Sequence, residues 1–222
     1  MKRILALAVL ASLAATPAMA ADNDRGFYWG FDLGQFQYSL DKRALDNAVI
    51  AGLEDSGYTI LSGASDTSED GFTWGLTLGY QFFKYLAVEA GYADLGTAEY
   101  RANVSATDGL ADYAVSERLE YDSRGFVVSA LGILPFDAWS VYGRLGYYLA
   151  NNDATLTTIV DGSGVSFKDG DNSQDFYWGV GGGYTQGQWT LRLEFQQYMD
   201  VGDTPQFESD IDRITIGAIY KF

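Results

Sequence analysis

From Gly26 to Tyr38 the chain reads GFYWGFDLGQFQY, and every second residue belongs to the same class. Phe27, Trp29, Phe31 and Leu33 share one face, while Tyr28, Gly30, Asp32 and Gly34 share the other. A β-strand separates neighbours in this way, because successive side chains leave opposite sides of the backbone. The pattern returns in FTWGLTLGY, where Phe72, Trp74, Leu76, Leu78 and Tyr80 split from Thr73, Gly75, Thr77 and Gly79. It returns again in YLAVEAGYA, with Leu86, Val88, Ala90 and Tyr92 against Ala87, Glu89 and Gly91. In FYWGVGGGY, Phe176, Trp178, Val180 and Tyr184 oppose Tyr177, Gly179, Gly181 and Gly183. Read along its length, the chain predicts eight strands, at about 26–38, 71–82, 85–101, 118–134, 139–150, 174–186, 189–200 and 211–222.

Alternation alone does not name the solvent, since a soluble sandwich alternates too. A sandwich points its large apolar side chains into a shared core and dresses the outer face with long polar residues. Here the second face is glycine with single charges embedded, which suits a narrow bore and turns the bulky face toward lipid. Trp29, Trp74, Trp139 and Trp178, with Tyr184 and Tyr220, lie near strand ends, where interfacial aromatic girdles are expected. The connections alternate as well. Strands two and three meet across Phe83-Lys84, four and five across Pro135 to Ala138, and six and seven across Gly187-Gln188. By contrast, about 32 residues separate strands one and two, and over twenty separate five and six. The predicted fold is therefore all-β: an eight-stranded antiparallel up-and-down transmembrane β-barrel with short periplasmic turns and long extracellular loops. Closure leaves no unpaired strand edge in hydrocarbon.

The first twenty residues change the picture of where this barrel sits. MKRILALAVLASLAATPAMA has a basic start at Lys2 and Arg3, an apolar centre, and the small-residue exit Ala18-Met19-Ala20. This is the layout of a secretory signal peptide, with cleavage expected before Ala21 and a barrel domain over 21–222. The apolar centre is short of the roughly 20 residues that a membrane-spanning helix needs. The longest later apolar stretch, Phe126 to Phe136, is interrupted by a serine, a glycine and a proline. Loss of Lys2 and Arg3 takes the formal charge from -16 to -18 (-16 - 2). The protein is expected in the bacterial outer membrane, as a monomer, surrounded by outer-membrane lipid and lipopolysaccharide.

Two missing residue types bear on chemistry. With no cysteine, there is no disulfide, thiolate nucleophile or cysteine-based metal site. With no histidine, the side chain that ordinarily serves as a base near neutral pH is lacking. GVGGGY touches on a glycine-rich phosphate loop but lacks the lysine and lies on a predicted strand. DGSGVSFKDGD lacks the ligand order of an EF-hand. No catalytic residue, metal site or cofactor is expected.

The final strand, TIGAIYKF, is expected to close the ring against the first, with Ile214, Ile216, Ala218, Tyr220 and Phe222 toward lipid and Thr215, Gly217 and Lys221 inward. The blocks FYWGFDLG, LGYQFFKYLAVEAGYADLG, YGRLGYY, LRLEFQQY and TIGAIYKF, in this order, resemble the OmpA-like transmembrane domain family of small outer-membrane barrels. The likeness covers the barrel only, without the C-terminal peptidoglycan-binding domain some members carry, so tethering to the cell wall by that route is not expected. Thr215, Gly217, Tyr220 and Phe222 match the C-terminal signal read by the outer-membrane insertion machinery, an implied partner. The resemblance also implies a charged network in the bore, matched at Glu89, Arg144, Arg192 and Glu194. Asp32 and Ala130 stand where the best-known member has lysines, and Gly183 where it has an acid.

An eight-stranded bore is just wide enough for side chains to fill, so Asp32, Glu89, Arg144, Arg192, Glu194 and Lys221 are expected to crowd together. Such a network acts either as a structural plug or as a narrow, cation-preferring path. Glu89 and Glu194 among arginines stay ionised, which does not suit acid catalysis. Loop one places Leu40, Ala44, Leu45, Ala48, Val49 and Leu53 at helical spacing, with Ser39 or Asp41 as N-cap, predicting a helix over the mouth; the alternative is an irregular loop. Loop three is expected to form a hairpin turning at Asp161 to Gly164. Asp153, Asp161, Asp169, Asp171 and Asp175, with Asp200, Asp203, Glu208, Asp210 and Asp212 in the last loop, make the outer end acidic. That surface repels nucleic acid and can share divalent cations with lipopolysaccharide phosphates. Three roles remain: envelope scaffold, low-conductance pore, and adhesin or receptor acting through the loops.

Overall fold

The computed structural model describes residues 25–201 and 209–222. The predicted leader, 1–20, and the loop acids Asp203 and Glu208 lie outside the described residues. Among the described residues nine strands and one helix follow in order: β1 (Gly26–Tyr38), α1 (Lys42–Asp55), β2 (Thr59–Ser68), β3 (Asp70–Phe83), β4 (Leu86–Thr107), β5 (Asp112–Phe136), β6 (Trp139–Val160), β7 (Ser163–Gln186), β8 (Trp189–Val201) and β9 (Ser209–Lys221). Eight of the strands pair antiparallel in a closed ring, β1-β3-β4-β5-β6-β7-β8-β9, and β9 returns to β1. The seam runs from Tyr28 opposite Lys221 to Tyr38 opposite Ile211, and Phe222 N–H donates to Phe27 C=O at 3.1 Å. β2 is a continuation of the second barrel strand beyond Glu69, paired with β4 alone.

The alternation in the sequence becomes inside and outside. Tyr28, Glu89, Arg144, Tyr177 and Thr215 are buried in the bore, whereas Leu78, Phe126, Leu145, Leu193 and Ile216 are exposed on the outer wall. Outward rings collect in two bands. One, beside the short turns, holds Trp29 against Trp189, Trp189 against Tyr220, and Trp139 against Tyr184. The other holds Trp74, Tyr92 and Phe126, then Tyr147 with Phe176 and Trp178 with Phe195. On β7, Tyr184 and Phe176 belong to opposite bands. At about 3.3 Å per residue and a tilt near 40°, they stand roughly 20 Å apart along the barrel axis, close to the height of an apolar membrane band.

Short turns join the ring at the inner end, at Lys84–Tyr85, Asp137–Ala138 and Gly187–Gln188. At the other end four strands run on well past the outer ring band, and here the predicted boundaries are corrected. β4 and β5 continue to Thr107 and Asp112, and β6 and β7 meet at Asp161–Gly162. Both turn residues have positive φ, 47° and 84°, the conformation of a two-residue I′ hairpin. The loop-one helix forms, capped by Asp41, whose carboxylate accepts from Arg43 and Ala44 N–H at 3.0 and 3.1 Å. A bulge between Asp94 and Thr97 marks the level at which β4 leaves β3 and takes up β2. Gly96 there has φ +75°, and Asp94 accepts its N–H at 2.9 Å.

Candidate functional site

The bore is crossed by ionised side chains from strands on opposite walls. β4 and β8 stand four strands apart in the ring of eight, so Glu89 and Glu194 face each other across it. Arg144, on β6 midway between them, places Nη2 at 2.7 Å from Glu89 Oε2 and Nε at 2.6 Å from Glu194 Oε1. These two approaches are ion contacts without an aligned N–H···O bond, since Glu89 Oε2, Arg144 Nε and Glu194 Oε1 make no hydrogen bond among the described residues. Arg144 Nη2 also donates to Glu194 Oε2 at 3.1 Å, and Nη1 donates to Ser129 Oγ at 3.3 Å. Arg192 Nη1 donates to Glu89 Oε1 at 2.6 Å. Two carboxylates meet two guanidiniums, and the group is charge-neutral.

Tyrosines complete it. Tyr28 Oη donates to Glu89 Oε1 at 2.7 Å, and Tyr142 Oη donates to Glu194 Oε2 at 2.9 Å. The Arg192 guanidinium lies over both rings, 5.4 Å from that of Tyr28 and 5.1 Å from that of Tyr142, a cation–π sandwich. The inward glycines make room for these groups. A Cβ on Gly179 would stand 3.0 Å from Glu194 Oε1 and 2.9 Å from Phe195 O, and one on Gly181 would stand 2.6 Å from Tyr142 Oη. The glycine-rich inner face of β7 is thus a cradle for long polar side chains from the neighbouring strands β6 and β8.

Six residues were expected in one cluster, and four share it. Asp32 belongs to a second layer, paired with Arg213. Arg213 Nε donates to Thr73 Oγ1 at 2.9 Å and Nη1 to Gln196 Oε1 at 3.1 Å; Gln196 Oε1 also accepts from Tyr198 Oη at 2.8 Å. Lys221 stands apart at the inner rim, where its ammonium donates to Gln81 Oε1 at 2.9 Å. It lies at the end of β9, opposite Tyr28 in register. Arg213 is absent from the expected set although strand parity puts it on the face of Thr215 and Gly217. Ala130 faces outward, so its change from lysine does not alter the charge of the bore; its neighbour Ser129 is the inward residue. Higher still, Ser123 Oγ donates to Asn152 Oδ1 at 2.7 Å, Asn152 Nδ2 to Ser173 Oγ at 3.1 Å, and Ser173 Oγ to Asp175 Oδ2 at 2.6 Å. Between the two ionic layers lies a void of about 30 Å³, lined among others by Asp32, Arg144, Arg192, Glu194 and Arg213.

The positions matched to the insertion signal occupy the closing strand. Thr215 is buried opposite Gly34 and Glu194. A Cβ on Gly217 would lie 2.9 Å from Asp32 Cβ, while Tyr220 Oη donates to Gln188 Oε1 at 3.0 Å and its ring meets Phe222 at 5.5 Å. With closure, outward rings and a polar bore established, comparison with known proteins fixes the lineage: the sequence pattern of the OmpA-like transmembrane domain matches residues 21–222.

The chain belongs to the OmpA-like transmembrane domain family.

Outer membrane protein A of Serratia marcescens is 29% identical over 234 residues, an alignment that takes in 100% of this chain and 56% of the relative. Outer membrane protein A of Shigella flexneri is 30% identical over 227 residues, with 100% and 56% covered. The chain spans about half the length of the curated relatives it matches. Among solved structures, Neisserial surface protein A aligns at a TM-score of 0.47 and 16% identity, over 89% of this chain and 97% of that one. OprG of Pseudomonas aeruginosa aligns at a TM-score of 0.44 and 14% identity, over 90% and 97%. Membership places the protein in the bacterial outer membrane as a transmembrane β-barrel.

Proposed function

We propose that this is a monomeric, non-catalytic barrel that holds extended loops at the cell surface, with a bore closed by its own ions, serving envelope integrity or surface interaction. The observation that carries the reading is the charge-neutral group of Glu89, Arg144, Arg192 and Glu194 spanning opposite walls. The void of about 30 Å³ between the two ionic layers has room for no more than about two waters. A hydrated ion needs a continuous file of water, and paired charges with tyrosines on both sides interrupt one. Outer-membrane lipid and lipopolysaccharide are its surroundings in this reading, and Thr215, Gly217, Tyr220 and Phe222 present the closing strand to the insertion machinery.

Planar-bilayer recording tests the closed bore. Silence is expected from the intact barrel, and a steady conductance that changes on Glu89→Ala would replace this reading with a narrow pore. The pore is the second reading because the bore is polar at successive levels, from Glu89 to Asp175. Deleting loops one and three and measuring attachment to surfaces tests the adhesin reading.

A further inference from the structure

Above the outer ring of aromatics, the described strands rise on one side of the barrel as the wall of a cup. β4 to β7 continue outward with β2 along β4, whereas β1 and β8 end at Tyr38 and Val201 and β9 starts at Ser209. Helix α1 is moored in this cup. Tyr100 Oη donates to Asp46 Oδ1 at 2.7 Å, and Lys42 Nζ donates to Asp46 Oδ2 at 2.9 Å and to Ser65 Oγ. Yet none of its fourteen residues is buried. An amphipathic helix usually closes its apolar stripe onto a core. Here Leu45, Ala48 and Val49 front a cavity of about 680 Å³, whose far wall includes Leu119, Leu156 and Phe167. Phe167 remains 66% exposed. The volume falls in the range of small-molecule sites, which are concave, largely apolar and equipped with a few polar groups.

Two polar groups in that wall make no hydrogen bond among the described residues. Tyr121 lines the cavity, and its hydroxyl is shut off from solvent with no hydrogen-bond partner. Glu117 also lines it and makes no ion pair or hydrogen bond among the described residues; burial pushes its carboxyl above the ordinary value. Asp169 and Asp171 add further negative charge. The ammonium of Lys168, the basic residue in the lining, is directed to Asp153 at 3.4 Å, and Lys42 is engaged by Asp46. An anion would meet uncompensated repulsion there. A cation would supply the charge that Glu117 lacks, and its apolar body would cover the helix stripe.

We propose that the cup beneath α1 is a binding site for a small cationic amphiphile, an apolar ring or chain carrying one ammonium group. Glu117 receives the ammonium, and Tyr121, Leu45, Val49, Leu119, Leu156 and Phe167 enclose the apolar part. This rests on the outer-membrane placement and not on the closed bore. Bilayer recording and ligand titration therefore fail independently.

Dansylcadaverine, a fluorescent aromatic amine, serves as the probe, titrated against the full chain in nanodiscs, with dansyl amide as a neutral control and empty nanodiscs for partitioning. Saturable enhancement is expected, with the amine bound about tenfold more tightly than the neutral compound, as for one charge-assisted contact. Glu117→Gln should bring the amine to the level of dansyl amide. Ala48→Trp, which fills the cavity, should abolish saturable binding of both. A heat-dependent gel shift verifies that each variant is folded. Equal affinity for the charged and neutral probes, indifference to Glu117→Gln, or a signal no greater than that of empty nanodiscs would overturn the proposal.

Discussion

Replacing Arg144 with methionine removes a central charge from the bore while keeping the length of the side chain. Its two carboxylate partners do not suffer equally. Glu89 retains Arg192 at 2.6 Å and the Tyr28 hydroxyl at 2.7 Å, whereas Glu194 is left with the Tyr142 hydroxyl at 2.9 Å. Glu194 is 6% exposed, so the bereaved carboxylate has little access to water. Breaking a buried ion pair from one side costs about 3–5 kcal/mol, most of it the penalty for the charge left behind. At a urea slope of about 2 kcal/mol/M, the unfolding midpoint should fall by roughly 1.5–2.5 M. The assay is urea unfolding in lipid vesicles followed by tryptophan fluorescence. Adding Glu194→Gln removes the orphaned charge, so the double variant should be more stable than Arg144→Met alone, recovering about half of the loss. Contacting residues give such coupling. A midpoint for Arg144→Met within about 0.3 M of the parent, or a double variant in which the two losses simply add, would refute the argument.

Three further outcomes follow from the same geometry. A Cβ at Gly34 would stand 2.8 Å from the Ile214 carbonyl carbon and from Thr215 Cα, on the β1–β9 seam. Gly34→Ala should therefore cost about 1–3 kcal/mol by overpacking, while Gly132→Ala, with open space around it, should leave the urea midpoint nearly unchanged. The Asp46 carboxyl is held down at about 2 from its ordinary 3.8 by hydrogen bonds from Ser65, then Lys42, then Tyr100. A depressed carboxyl stabilises above its ordinary value, so the mooring of α1 should be complete above pH 4 and weaken as the pH falls toward 2. With Asp46 31% exposed, screening keeps the effect below about 1 kcal/mol; amide exchange of the helix across that range reads it, and Asp46→Asn should flatten it. Gly162→Val, at φ +84°, should loosen the β6–β7 hairpin tip by about 1 kcal/mol, seen as faster amide exchange confined to that tip.

The ring itself was legible because lipid enforces contrast. Phe72, Leu76 and Leu78 cannot exchange faces with Thr73 and Gly75 without taking apolar side chains away from lipid and crowding the bore, so parity separated inside from outside already in the sequence. Above the membrane that contrast fades. In ATLTTIV both faces meet water, threonine occupies either one, and the extension of β6 to Val160 left no sharp period to read. Loop one was different: Asp41 before a helical stripe is a local signal, and the helix formed there. In the bore, composition identified the ions but not their heights. Asp32 pairs with Arg213, a residue that the parity of β9 already turned inward, and Lys221 lies one strand-end away from the four-residue group. Which carboxylate meets which guanidinium depends on strand stagger across the ring, and stagger is set by long-range register that no local window contains.

Because the chain has no cysteine, single spin labels can be placed along β9 without background. Labels at Ile211→Cys through Tyr220→Cys in lipid vesicles, each measured for collision with oxygen and with a water-soluble nickel chelate, test the assignment of faces most directly. Oxygen contact should peak at 214, 216 and 218 and fall at 213, 215 and 217. Uniform values along the strand, or nickel contact peaking at 214, 216 and 218, would contradict a barrel whose apolar face meets lipid and whose ions fill the bore.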